Sequence, residues 1–153
     1  MTEGVIKIPI HEFLPHRAPM LMVDYIVEIS QGHVICEYTI ESDCIFLVDE
    51  FLQEVGLIEH MAQTCSSIVG QNYYTEDYNP EVDERVIGFI SAIKSVCIEC
   101  LPKKEQRIRT TARLVSQFEG AGYTICTMSV IAEVLGDQIA EAEINLFLQE
   151  RKP

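Results

Sequence analysis

The sequence predicts an α+β domain in which an antiparallel sheet packs around one long helix. Two segments with strand-like patterns come first, one segment with helical spacing follows, and every apolar segment after it again has the pattern of a strand. The chain has 153 residues, close to the usual size of one domain, so we expect residues 1–153 to form a single domain.

The first two strands are predicted at residues 20–29 and 32–40. In the second strand apolar and polar residues alternate, which is the period of a half-buried strand. Ser30, Gln31 and Gly32 supply the turn residues of a hairpin between the two strands.

The helix is predicted over residues 53–70. Its apolar residues recur three and four positions apart, at Ile58, Met61, Ala62, Cys65, Ile68 and Val69. Gly70 is placed to end it. Residues 74–84 are acidic and contain Pro and Asn, which is typical of an exposed loop.

The rest of the chain predicts an antiparallel meander of four strands. They are expected at residues 86–96, 106–115, 122–133 and 138–148. Gly136 and Asp137 are a hairpin signal between the last two.

The charge excludes several classes of partner. The chain carries 11 Lys and Arg against 24 Asp and Glu, a net charge of −13, so neither nucleic acid nor an anionic membrane is expected to bind it. We find neither a signal-peptide pattern at the N-terminus nor about 18 successive apolar residues, so a cytoplasmic location is expected.

The six cysteines lie mostly in apolar segments and are expected to be reduced, structural thiols. Cys97 and Cys100 have the one suggestive spacing. On a strand, residues three apart point to opposite faces, so no metal or redox site is expected there.

Glu59 is the first candidate for chemistry, because it lies at the margin of the apolar stripe of the predicted helix. Gln63, one turn later, can donate a hydrogen bond to its carboxylate. The alternative is an ordinary, partly exposed helix glutamate. His60 points about 100° further round the helix, so we expect it to have a solvent or packing role.

The second candidate segment precedes the first strand, where Pro15 and Pro19 bracket His16 and Arg17 and stiffen the chain. Arg17 is expected to pair with a carboxylate such as Asp24. His16 either hydrogen-bonds locally or presents its imidazole to a ligand cavity.

Four segments resemble motifs of the FabZ-type 3-hydroxyacyl-ACP dehydratases, in the family's order and spacing. They are residues 14–24 (LPHRAPMLMVD), 57–63 (LIEHMAQ), 88–94 (GFISAIK) and 136–142 (GDQIAEA). The helix and the opening motif resemble more closely the ApeP-like dehydratases of aryl-polyene and flexirubin-type pigment pathways. The resemblance implies a hotdog fold, working as a homodimer or as a heterodimer with another hotdog protein, or as a trimer of dimers.

The resemblance also implies a hydro-lyase reaction, the elimination of water from a (3R)-3-hydroxyacyl thioester. Acyl-ACP or acyl-CoA would be the substrate in fatty-acid or pigment-type biosynthesis. It would bring its own phosphopantetheine arm, so no cofactor and no metal are expected. Glu59 matches the family's catalytic glutamate and Gln63 the glutamine that supports it.

Further site residues are expected at the helix start and on the strand after the helix. A backbone N–H at Val55 or Gly56 could polarise the thioester carbonyl. Gly88, Phe89 and Ile90 are expected to line the acyl tunnel, with a backbone kink at Gly88.

One departure from the family decides which functions stay open. The family's second catalytic residue is a histidine 14 residues before the glutamate, and here Ile45 stands at that position. Three hypotheses follow: a dehydratase in which His16 supplies the imidazole, a non-catalytic or heterodimer subunit that binds acyl thioesters, and a thioesterase in which Glu59 activates water.

The basic residues are concentrated in one part of the chain. Residues 94–113 hold six basic and two acidic residues, a net charge of +4, which leaves −17 for the rest. We expect Lys103, Lys104 and Arg107 to receive an acidic carrier protein by electrostatic steering, although an ordinary solvated strand face would have the same pattern.

Overall fold

The computed structural model describes residues 7–10, 14, 16–73 and 85–151. Along the chain, one long helix is preceded and followed by strands. Before the helix come β1 (Ile8–Pro9), β2 (Tyr25–Ile29), β3 (His33–Thr39), β4 (Leu47–Val48) and β5 (Phe51–Leu52). The helix α1 spans Glu54–Tyr73. After it come β6 (Arg85–Ile98), β7 (Arg107–Gly120), β8 (Tyr123–Val134) and β9 (Asp137–Arg151).

Seven of these strands form one antiparallel sheet in the order β1-β2-β3-β7-β8-β9-β6, while β4 and β5 form a separate hairpin. The helix packs across one face of the large sheet and contacts β3, β6, β7, β8 and β9. We call this the inner face and the opposite one the outer face. The predicted α+β class and the sheet around one helix are confirmed. The predicted four-strand meander is wrong for β6, which pairs with β9 and not with β7, because the connection at residues 99–106 carries the chain across to β3.

The alternation of side chains explains why the core lies between the helix and the inner face. Every second residue of β3 is buried, as is every second residue of β8 from Cys126 onward and over most of β9. The helix contributes Leu57, Met61, Cys65 and Ile68 to the same core. Each fully buried aliphatic side chain of this kind stabilises the fold by about 1.5–3 kcal/mol relative to its exposure to water.

The structure corrects three local predictions. The helix does not end at Gly70 but continues to Tyr73. The first strand begins at Tyr25 rather than at residue 20, because residues 17–21 form a turn in which the N–H of Leu21 donates to the Arg17 carbonyl. The last hairpin turns one residue earlier than predicted. Leu135 and Gly136, with φ of 53° and 82°, are its turn residues, and Val134 pairs with Asp137.

The cysteines divide into three groups, and Cys44 alone is half-buried. Cys36, Cys65 and Cys126 are buried, as predicted, but Cys97 and Cys100 are exposed at the end of β6. Burial raises the pKa of the Cys36 thiol to about 12, which keeps it protonated and unreactive. The loop predicted at residues 74–84 lies outside the described residues.

Candidate functional site

The site is built on the first half of α1, where Glu59 and Gln63 lie one helical turn apart on one side. The Glu59 side chain is 28% exposed, whereas Gln63 is buried. Gln63 Nε2 donates to Glu59 Oε1 at 2.8 Å. A buried amide therefore orients a carboxylate whose outer side stays open to water or to a ligand.

Gln63 also binds the chain segment that precedes β2. Its Nε2 donates to the Met20 carbonyl at 2.8 Å, and its Oε1 accepts the N–H of Met22 at 2.8 Å. Because both N–H groups and the oxygen are engaged, only one orientation of the amide satisfies all three contacts. Gln63 thus joins Glu59 to the segment that carries His16.

His16 is the imidazole that this segment places beside Glu59. Its Nε2 lies 3.9 Å from Glu59 Oε1, and its side chain is 32% exposed. The distance exceeds that of a hydrogen bond but allows both groups to reach one small substrate group or water. The structure therefore brings together the two residues that the sequence proposed for catalysis.

The electrostatics of His16 keep its imidazole neutral. Burial lowers its pKa below the ordinary value of 6.5; the Glu59 carboxylate opposes this effect and the Arg17 guanidinium adds to it. The Nδ1 atom is buried and has no hydrogen-bond partner among the described protein atoms. A neutral imidazole at pH 7 can accept a proton, as a general base must.

Arg17 has a different role from the one predicted. Its guanidinium donates to the carbonyls of Leu14 and His16, at 3.0 and 2.8 Å, and so stiffens the turn around His16. Asp24 instead accepts the N–H of Thr39 at 2.8 Å. The expected ion pair between Arg17 and Asp24 is therefore wrong for these described side chains.

His60 is wholly buried, so a solvent role is wrong and the packing role is what the structure supports. Its Nδ1 contacts the Met22 carbonyl at 2.6 Å and its Nε2 contacts Thr110 Oγ1 at 2.7 Å. Thr110 is a residue of this cluster that the sequence did not single out. The available signal was a polar residue between Ile108 and Ala112 on the inward-facing positions of β7.

The amides proposed for the thioester carbonyl lie in the first turn of α1. The Gly56 N–H donates to the Gln53 carbonyl at 3.0 Å, which competes with the predicted role. Val55 is the better candidate, because the first N–H groups of a helix have no carbonyl one turn earlier to bind. A Cβ at Gly56 would lie 2.7 Å from Phe46 and Leu52, so close packing requires glycine there.

The predicted tunnel residues divide between the two faces of the sheet. Ile90 pairs with the inner-face residue Leu146 and is half-buried, as a tunnel-lining residue should be. Phe89 pairs with Phe147 on the outer face and is exposed, so the register contradicts its tunnel role. Pairing is regular at Gly88, and the irregularity falls after Ile90, so the predicted kink at Gly88 is wrong.

The position of the family's histidine is on the surface. Ile45 is 48% exposed and precedes the β4–β5 hairpin. Three further apolar side chains near the helix start, Val48, Phe51 and Val55, are also exposed. No proton-transfer group is present at Ile45 itself.

The basic residues of the predicted carrier patch are partly neutralised. Lys103 and Lys104 both lie near Glu50, with Nζ–O distances of 3.6 and 3.8 Å. Arg107 shares Glu37 with Arg109, which is 3.4 Å from that carboxylate. Four cations thus share two carboxylates, and the patch keeps an excess of positive charge.

The described residues contain neither a cluster of metal ligands nor a membrane-spanning helix. Within residues 7–10, 14, 16–73 and 85–151, no three His, Cys, Asp or Glu side chains lie close enough together to hold a metal ion. No helix within these ranges combines the length and the apolar character needed to cross a membrane.

Comparison with known proteins places the chain in a family. The sequence model of the ApeP-like family, described as ApeP dehydratase, matches residues 8–152. Two relatives are 3-hydroxyacyl-[acyl-carrier-protein] dehydratases FabZ. The one from Helicobacter pylori is 26% identical and the match covers 92% of this chain and 89% of the relative; the one from a Methylobacterium species is 30% identical, with 90% and 81% covered.

Solved structures agree on the fold. The dehydratase heterocomplex ApeI:P from Xenorhabdus doucetiae matches with a TM-score of 0.79 at 21% identity, over 95% of this chain and 93% of that one. A hypothetical thioesterase with coenzyme A from Streptococcus pneumoniae matches with a TM-score of 0.61 at 14% identity, over 84% and 87%. These likenesses establish the hotdog fold. The chain belongs to the ApeP-like dehydratase family.

Proposed function

We propose that this chain eliminates water from a (3R)-3-hydroxyacyl thioester, using Glu59 and His16 of the same chain. The observation that carries the proposal is the 3.9 Å distance between these two groups, in a chain that has isoleucine at the position of the family's histidine. The match to the ApeP-like family supports the reaction class. The proposed pathway is fatty-acid or aryl-polyene type biosynthesis.

The proposed step needs one base and one acid. His16 Nε2 takes the proton from C2 and passes it to the Glu59 carboxylate, directly or through a water molecule. The Glu59 carboxyl formed in this way gives the proton to the C3 hydroxyl, which leaves as water while the C2–C3 double bond forms. Both residues end in their starting state, and the products are the trans-2-enoyl thioester and water.

The rest of the substrate is assigned by position. The Val55 N–H at the helix start would bind the thioester carbonyl, where the helix dipole favours developing negative charge. Ile90 would contact the acyl chain. The phosphopantetheine arm would arrive with acyl-ACP or acyl-CoA, and no other cofactor is proposed. Lys103, Lys104 and Arg107 would attract an acidic carrier protein.

The first experiment follows enoyl-thioester formation from a 3-hydroxyacyl carrier protein by mass spectrometry. Glu59→Gln and His16→Gln should each lower the rate by about 10²–10⁴-fold, the usual range for loss of a proton-transfer group. Glu54→Gln and His33→Gln are the matched controls and should keep the wild-type rate. Wild-type rates for both site variants would refute the proposed roles, and release of free thiol without enoyl product would indicate a thioesterase.

The subunit partner is proposed from the free edge of the sheet. The 14-residue strand β6 ends the sheet order, and within the described residues no strand pairs with its other edge. Ile93 and Val96 pair with the inner-face residues Ile144 and Ala142, yet both are exposed. A long apolar edge of this kind invites an added strand, so a second hotdog subunit is the proposed occupant.

A heterodimer subunit is the second candidate function, favoured by Ile45 and by the ApeI:P heterocomplex as a structural neighbour. An inactive pure protein that gains activity with a second hotdog protein would support it. Light scattering would separate a dimer from a trimer of dimers.

All six cysteines are free thiols, which supports the proposed cytoplasmic location.

A mixing experiment asks whether both proton-transfer groups belong to one chain. In mixed dimers of the His16→Gln and Glu59→Gln variants, no site would contain both wild-type residues from a single chain. We expect no activity above that of the two variants alone. Recovery of activity would mean that the pair forms across a subunit interface.

A further inference from the structure

His60 is a buried titratable residue that the proposed reaction does not use. It follows Glu59 on α1, is completely buried, and engages both ring nitrogens. The ring of Tyr38 stacks on it with centroids 5.7 Å apart, and the Thr64 hydroxyl donates to its backbone carbonyl. Such complete engagement fixes the imidazole in one position.

The contacts also fix its tautomer. A carbonyl oxygen only accepts hydrogen bonds, so the proton is on Nδ1, which donates to the Met22 carbonyl at 2.6 Å. Burial lowers the pKa of His60 to about 4, so the ring is neutral at pH 7. Its Nε2 then accepts a hydrogen bond from the Thr110 hydroxyl, 2.7 Å away. Thr110 therefore selects the tautomer that binds Met22.

The residue Met22 is held by the helix at both of its backbone polar groups. Gln63 accepts its N–H and His60 donates to its carbonyl. Further back, the N–H groups of Met20 and Leu21 donate to the Arg17 carbonyl at 3.0 and 3.1 Å. Anchoring Met22 thus anchors the turn that starts next to His16.

We propose that His60, supported by Thr110, is a positioning residue that holds the Met22 carbonyl and thereby places the His16 imidazole beside Glu59. The proposal rests on the proposed function for its catalytic meaning but not for its geometry. His60 touches neither reacting group, so it acts only through the backbone of residues 17–22.

The test measures the His16 pKa by NMR of the histidine rings, together with kcat and KM for dehydration. In His60→Leu, the turn loses its anchor and His16 becomes more solvated. We expect its pKa to rise toward 6.5, the charged neighbours Glu59 and Arg17 being unchanged. We also expect kcat to fall at least about 10-fold with little change in KM, because a displacement of about 1 Å can cost 10²-fold in rate.

Two further variants keep the test decisive if His60→Leu does not fold. His60→Asn keeps an N–H donor near the Nδ1 position and should restore most of the wild-type behaviour. Thr110→Val has nearly the same shape but cannot donate to Nε2, and should shift the His16 pKa and kcat in the same direction as His60→Leu, by less. His33→Asn, at a half-buried histidine of β3 that pairs with Glu28, is the control and should change neither.

A wild-type His16 pKa and wild-type kcat in folded His60→Leu or Thr110→Val would overturn the proposal. The two proposals fail separately. If the wild-type protein does not dehydrate the substrate, the proposed function fails, and the NMR measurement still decides whether His60 positions His16. If dehydration occurs but the His16 pKa does not respond, only the positioning role fails.

Discussion

Replacing Gln63 with methionine tests the buried link between the helix and the turn that carries His16. The volume of the side chain stays nearly the same, so the change removes hydrogen bonds without opening a large cavity. Three contacts of 2.8 Å disappear, to the Met20 carbonyl, the Met22 N–H and the Glu59 carboxylate. The three partner groups differ in their exposure to water, and this difference determines how far the free energy of unfolding falls.

The Met22 N–H carries most of the expected cost. Met22 is buried, so its N–H would lose its partner without gaining water, at about 1–3 kcal/mol. Met20 and Glu59 are partly exposed and can bind water instead, so together they should add about 1 kcal/mol. We expect the free energy of unfolding to fall by about 2–4 kcal/mol and Tm by roughly 4–16 °C for a chain of this size.

Urea denaturation followed by circular dichroism measures this change. The control is Gln117→Met, at an exposed glutamine on β7 whose partner is the exposed Glu119, and its effect should stay within about 0.5 kcal/mol. A loss below about 0.5 kcal/mol in Gln63→Met, equal to that of the control, would refute the idea that Gln63 anchors the turn.

Three other outcomes are expected. Gly56→Ala should lower the free energy of unfolding by about 1–3 kcal/mol in the same denaturation assay, because its Cβ would lie 2.7 Å from Phe46; a neutral effect would show that the helix start can shift. Charge reversal of Lys103 and Lys104 should weaken the binding of a carrier protein, measured by calorimetry, and the difference from wild type should be smaller at high salt. Unchanged binding would exclude this patch. The unfolding free energy of the wild type should fall as pH drops from 6.5 toward 4. His60 is protonated at its ordinary pKa of 6.5 in the unfolded chain, but burial lowers its pKa to about 4 in the folded chain, so protons stabilise the unfolded state between these values. In His60→Asn the free energy of unfolding should therefore fall less steeply as the pH drops.

The helix and its Glu59–Gln63 pair were predictable because both rest on short-range spacing. Residues four apart on a helix are neighbours whatever the rest of the fold does. The succession of strands and helix along the chain followed equally from alternation and turn residues, whereas the pairing of β6 with β9 did not. These predictions need only the local period of the chain.

Contacts between distant segments were not predictable in the same way. A helical wheel gives the direction of His60 but not what packs there, so its bond to Thr110, 50 residues away, had no local signal. The face of Phe89 depends on the register between β6 and β9, which the strand pattern alone does not determine. The turn at residues 17–21 is closed by the Arg17 carbonyl, but the residue after it, Met22, is bound by side chains of the distant helix, which the apolar pattern of residues 20–29 does not indicate.

The placement of His16 changes what a partner subunit has to provide. If the imidazole came instead from the loop around residue 45 of a second subunit, that loop would have to be positioned to the accuracy of proton transfer. Here the imidazole and the carboxylate are connected through Gln63 within one chain, 3.9 Å apart. Under the proposed function, the partner proposed at β6 would then have only to exclude water and shape the acyl-binding surface, which apolar contacts can do. An isoleucine at position 45 is compatible with such a site, and the same chain could accept partners with different sequences at that loop.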